Sequence, residues 1–288
     1  MMRTSYPLLA VMAGLAMMVL SVSPASAGLV VEDFSYSSGI LRDRTGGSGW
    51  GGPWGATTNT TSRVLVDASS NLTSTLYSVT QSGTGHANGN YNAFRGINRQ
   101  VEPDLAGEVW FSVLLQNTAS NHHAGIQFNV HTATQGSSAI DYNQGPWDIE
   151  LSGTSLIARY NNSNSSSLAT LALNETHLIL GRLILGPGND TMELWADPSD
   201  LCNLGSPLFS AGSADMGDDL YLAGIFAYGT MDQTSGLIDA LRVSDGNGEP
   251  DIAFEDVTGQ EVPEPLTLAL MAMGAAAAGG YLRRRRAA

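Results

Sequence analysis

The 288 residues contain no lysine, and all 13 basic side chains are arginine. That absence excludes lysine Schiff-base chemistry and the lysine-bearing phosphate loop. Cys202 is the single cysteine, so no disulfide can form within the chain, whatever compartment it occupies. Gly-x-Ser-x-Gly, His-Glu-x-x-His and Cys-x-x-Cys are also missing, which removes the esterase, zincin and dithiol readings at the level of residue type. Between residues 28 and 262 there are 26 acids (27 less Glu264) against eight arginines (13 less Arg3 and Arg283 to Arg286), a formal charge of 18 negative. A surface of that sign repels phosphate backbones, so nucleic acid is excluded as a partner class.

What is present is most distinctive at the two ends. Met1 to Ala27 has one early positive charge at Arg3, an apolar run from Leu8 to Leu20, and the small-residue site Ala25-Ser26-Ala27. This pattern predicts a signal peptide cut after Ala27. At the other end Val262-Pro263-Glu264-Pro265 is followed by the uncharged stretch Leu266 to Leu282 and then by Arg283, Arg284, Arg285 and Arg286. The apolar stretch is at the short end of what spans a bilayer as a helix, and the arginine cluster acts as a cytoplasmic stop. Two prolines hold the segment just outside it extended and open to a protease.

Motif, span and arginine cluster, in that order, resemble the C-terminal sorting tail of the bacterial PEP-CTERM proteins. The resemblance implies an exosortase-type membrane protease and the export machinery as partners. It also implies a single-pass membrane form before processing, and then residence in the cell envelope, at the cell surface or in the extracellular matrix.

Between the ends the sequence reads as one all-β domain over residues 28–244, followed by an acidic stalk over 245–261 and the tail over 262–288. Short runs rich in β-branched and aromatic residues recur at Arg63–Asp67, Leu76–Thr80, Ala93–Ile97, Glu108–Gln116, Ala124–Val130, Trp147–Leu151, Leu156–Tyr160, His177–Leu185, Thr191–Ala196, Leu220–Tyr228 and Gly236–Val243. Gly, Ser, Asn and Thr clusters separate them, and no stretch of the body shows helical periodicity with caps. Such a series predicts a sandwich or jelly roll. Period-2 alternation assigns Val109, Phe111, Val113 and Leu115, and Ala124, Ile126, Phe128 and Val130, to the core. Gly181 to Pro198, Ile238 to Val243, and the segment from Asp33 to Trp54 resemble concanavalin A-like (laminin G-like) sandwiches. The expected fold is therefore a concanavalin A-like jelly-roll sandwich, flanked by a signal peptide and a transmembrane helix over 266–282.

Candidate site residues are few. Trp50 and Trp54, in a glycine-rich segment, either plug one end of the core or form a sugar-stacking platform. His123, Gln127 and Asn129 lie on the polar side of a strand and could meet a ligand there. His123 and His131 would be about 26 Å apart on a continuous strand, too far for a shared metal. Asp148 and Glu150 alternate on one side of a strand and are the nearest thing to a glycosidase carboxylate pair. Asp245, Asn247 and Asp251 place oxygens at alternate positions, as calcium loops do, yet Pro250 stands where such a loop needs glycine. No cofactor is expected beyond that calcium candidate. The function expected from these residues is that of an exported, non-catalytic surface or matrix protein binding exopolysaccharide or surface glycan. The alternative is a secreted glycosidase on the same fold.

Overall fold

The computed structural model describes residues 28–41, 43–54, 64–76, 85–89, 97–128, 147–160, 163–164, 167–214, 219–228 and 236–261. The expected signal peptide and transmembrane tail lie outside these residues. No helix among the described residues is long and apolar enough to cross a membrane.

Among the described residues sixteen strands follow in chain order: β1 (Leu29–Glu32), β2 (Gly39–Ile40), β3 (Val64–Asp67), β4 (His86–Gly89), β5 (Ile97–Ala106), β6 (Glu108–Gln116), β7 (His123–Phe128), β8 (Trp147–Ser152), β9 (Ser155–Tyr160), β10 (Ser163–Asn164), β11 (Ala169–Thr170), β12 (His177–Ile184), β13 (Asp190–Ala196), β14 (Phe209–Ala214), β15 (Asp219–Tyr228) and β16 (Leu237–Ser244). They form two antiparallel sheets. One has nine strands in the order β14-β13-β12-β6-β16-β4-β3-β2, with β1 also paired to β16. The other has seven in the order β10-β9-β8-β7-β15-β5, with β11 on β9. The chain is thus the all-β, two-sheet body that the strand series predicts.

The core lies between the sheets, and period-2 alternation put the right side chains in it. Val109, Phe111, Val113 and Leu115 from β6 meet Ala124, Ile126 and Phe128 from β7, all fully buried. The rings of Phe111 and Phe128 have centroids 5.0 Å apart. Gly181 in β12 is set by this packing, since a Cβ there would run into the Phe111 ring. Val130 lies outside the described residues.

The stalk expected over residues 245–261 is corrected by the structure. A 3-10 turn at Gly246–Gly248 leads into α1 (Pro250–Thr258), which closes at Gly259 in the left-handed conformation. Proline begins a helix without losing a bond, and glycine ends one without strain. Ala253, Phe254 and Val257 of α1 pack against Trp110, Leu114, Leu178, Leu180 and Trp195, on the face of the nine-stranded sheet that points away from the main core. Ser112 donates to the Val257 carbonyl at 2.6 Å, and Ser244 to Asp256 at 2.6 Å. Burial of that apolar stripe outweighs the solvation of the segment's acids, so β6 is buried on both faces and the domain extends through α1.

Beside α1, a bulge in β16 breaks register with β6 between Asp239 and Arg242. Its residue Ala240 has φ of 50°, and Asp239, fully buried, accepts from the backbone N–H of Ala240 and of Leu72. The carboxylate satisfies amides that the distorted ladder and the incoming loop would leave unpaired.

Candidate functional site

Register in the seven-stranded sheet brings five polar side chains to one place. β7 sets Gln127 opposite Asp148 of β8, and β9 sets Arg159 opposite the same aspartate. Glu150, two residues on, shares the face of Asp148, which is the one turned away from the core because Trp147, Ile149 and Leu151 fill the other. Gly125 stands directly across from Glu150, so no side chain blocks His123 from reaching it.

Arg159 is the hub of the cluster. It donates from Nη1 to Asp148 Oδ2 at 2.5 Å and from Nη2 to Glu150 Oε2 at 2.7 Å. His123 Nδ1 lies 2.6 Å from Glu150 Oε1, and Gln127 Nε2 donates to Asp148 Oδ2 at 3.3 Å. Asp148 and Glu150 are 1% and 2% exposed, whereas the side chains of Arg159 and His123 keep 15% and 22% of their surface. The carboxylates lie beneath, and the cation and the imidazole reach solvent.

The two acids differ in their ionisation. Burial pushes Asp148 up to about 7, and the Arg159 charge offsets it only in part. Burial also acts on Glu150, but the bond from His123 and the charge of Arg159 outweigh it, so its carboxyl is held below the usual range. Asp148 Oδ1 is buried and accepts no hydrogen bond, in accord with a carboxyl that retains its proton more readily than its neighbour. Between them the carboxylates hold Arg159 more firmly protonated than usual, despite the opposing effect of burial.

The other candidates fall elsewhere. Trp54 is fully buried, so the stacking-platform reading is corrected for it: its Nε1 donates to Glu32 Oε2 at 2.8 Å and its ring lies 5.1 Å from that of Trp50. Glu32, itself buried, also accepts from the Phe34 amide at 2.9 Å and the Tyr36 hydroxyl at 2.7 Å. Trp50 is half-buried and donates from Nε1 to the Val31 carbonyl at 3.0 Å. This tryptophan pair is therefore part of the core's end. Gln127 as a surface contact is corrected likewise, because it is fully buried beside Asp148. Asn129 lies outside the described residues.

The calcium candidates do not converge. Asp245 Oδ1 accepts from the Asn247 amide at 2.9 Å and caps the 3-10 turn, while Asp251 stands in the first turn of α1. Helix formation at Pro250 removes the loop that would have wrapped an ion. Among the described residues there is no group of three or more His, Cys, Asp or Glu placed to hold a metal. Arg159 is the site residue that sequence reasoning missed: it lies 11 positions after Asp148, and its one signal is that it is the lone charge of the strand Ser155–Tyr160.

No protein-family model matches the chain, and no curated protein matches it. Solved structures with some likeness include the endo-β-1,4-glucuronan lyase of the fungus Trichoderma reesei, 13% identical over 77% of this chain and 98% of its own, with a TM-score of 0.43. Cellulose induced protein, Cip1, is 14% identical over 73% of this chain and 97% of its own, at 0.43. The carbohydrate recognition domain of Emp47p is 11% identical over 77% and 98%, at 0.40. A likeness of that degree transfers neither a residue's role nor an activity.

Proposed function

We propose that this chain is an exported, non-catalytic surface or matrix protein whose sandwich, read as a concanavalin A-like jelly roll, binds glycan. The observation that carries the reading is the Arg159 cluster. Both carboxylates of the glycosidase-like pair are buried beneath Arg159 and bonded to its guanidinium, which favours the non-catalytic reading over the glycosidase one. The parts that reach solvent, Arg159 and His123, are hydrogen-bonding groups held in place from beneath. Contacts made by such groups cost little ordering entropy on binding, which suits recognition of a hydroxylated polymer.

Sorting is proposed from the tail: Pro263-Glu264-Pro265, the apolar run and the four arginines supply an exosortase-type protease with an extended site beside a span. Intact mass of the mature protein from membrane and extracellular fractions tests this. A C-terminus near Pro263 to Pro265 is expected, and a size and location unchanged on replacing Pro263 and Pro265 would overturn it. The body is tested on a glycan array with His123→Ala alongside, which is expected to lose the signal. Release of reducing ends from a polysaccharide panel by the native protein, abolished in Glu150→Gln, would establish the glycosidase alternative instead.

A further inference from the structure

A cleft of about 370 Å³ opens on the side of the molecule away from the Arg159 cluster, between the first turn of α1, the 201–205 loop and the outer face of the nine-stranded sheet. Its lining includes Trp110, Arg182, Glu108, Asn203, Asp251 and Phe254. We propose that this cleft is a second binding site, for a neutral, hydroxyl-rich ring of the saccharide type. The proposal is independent of glycan binding at the Arg159 face.

The lining selects the ligand by what is already occupied. Arg182 lies 5.4 Å over the Trp110 ring, while Trp195 stacks on that ring at 5.7 Å and Phe254 meets it edge-on at 5.0 Å. A ligand cation therefore finds no open face of Trp110 to lie on. The charge of Arg182 is also taken: Nε and Nη2 donate to Glu193 Oε2 at 2.9 and 2.5 Å, and Nη1 lies 3.4 Å from Glu108 Oε1. With Arg182 neutralised, Glu108 and Asp251 leave the lining acidic, which turns anions away.

Among the described residues, the side-chain acceptors left to bond a ligand are Glu108 Oε2 and the Asp251 carboxylate, with the Asn203 side-chain amide beside them. Glu108 Oε1 already takes the Trp110 indole N–H at 3.0 Å. Two acceptors and one amide beside the apolar surfaces of Phe254, Leu201 and Leu204 match a ring with hydroxyl donors on its edge and C–H groups on its face. A cleft of this volume admits one or two such rings.

The protein carries its own reporter there, because its single cysteine, Cys202, is exposed and lines the cleft. Alkylation of Cys202 by iodoacetamide, followed by intact mass, reads occupancy directly in the native protein. Cellotetraose, chitotetraose and maltotetraose serve as probes, with calcium chloride as the cation control. We expect at least one probe to slow alkylation saturably, by about tenfold at roughly ten times its Kd, since only the empty cleft reacts. Asp251→Ala and Asn203→Ala, both at exposed positions, should each raise the concentration that gives half-protection by about tenfold. His123→Ala should leave it unchanged, which separates this site from the Arg159 face. Protection by none of the saccharides, protection by calcium alone, or protection that survives both cleft substitutions would overturn the proposal.

Discussion

Replacing Asp148 with asparagine removes one ionisation from beneath Arg159 while keeping the side chain's size. Its folded carboxyl is raised from an ordinary value of 3.8 to about 7. Below pH 4 the folded and unfolded chains both hold this proton, so Asp148 adds no pH dependence. Between pH 4 and 7 the unfolded chain gives it up while the folded chain keeps it, so native stability falls as pH rises. Above 7 both forms are ionised and the loss is complete. At about 1.4 kcal/mol per pH unit, a displacement of about three units amounts to a loss of about 4 kcal/mol. A carboxamide cannot ionise, so Asp148→Asn should gain on the native protein by about 4 kcal/mol between pH 4 and 7.5. Urea unfolding of both proteins at several pH values measures this, and the difference between the two curves cancels other titrating groups. Parallel curves across that range would refute the view that burial outweighs Arg159 at Asp148.

Three further outcomes are expected. Phe254→Ala should cost about 3–5 kcal/mol in urea unfolding, because the ring is buried against Trp110; a cost near zero would mean that α1 is not part of the folded domain. Gly181→Ala should cost about 1–3 kcal/mol by pressing a methyl into the Phe111 ring, and Phe111→Leu in the same chain should recover part of it. His177 is buried, which disfavours its charge, but Asp197 at 2.6 Å and the Ala172 carbonyl at 2.9 Å outweigh that and raise its pKa above 6.5. Its contribution to stability is therefore full below pH 6.5 and lost as pH rises through the raised value; an NMR titration that finds His177 below 6.5 would contradict this.

Most of the longer strands were legible because their signal is local; β5 and β14 were not, since polar and small residues fill much of Ile97–Ala106 and Phe209–Ala214. Glu108–Gln116 was read with the bounds the structure shows, and Trp147 and His177 were placed correctly as strand starts. That β6 is buried on both faces went unread, although Trp110 and Leu114 make the run apolar on the second face too, the mark of a covered strand. The helix at 250–258 was missed although Pro250 and Gly259 bracket it and Ala253, Phe254 and Val257 form a stripe. Its acids resembled a solvated linker, and nothing in the sequence says which segment covers the outer face of β6.

The site divides along the same line. His123, Gln127, Asp148 and Glu150 could be assigned to polar strand faces from alternation alone, whereas their pairing with Arg159 could not be, because it needs the register of β9 on β8, which alternation does not set.

The sequence by itself determined the class of the fold, most of the longer strands and the residues facing the core, since each follows from a repeat of two residues and the turn chemistry beside it. It also set the strong acidity of the body and the absence of lysine. Tertiary structure alone decided which polar groups meet. The contrasting ionisation of Asp148 and Glu150, the docking of α1, and the cleft drawn from Glu108, Arg182, Asn203 and Asp251 all depend on pairings between distant parts of the chain. Burial and charge are properties of what surrounds a group, and those surroundings exist only once the sheets have closed.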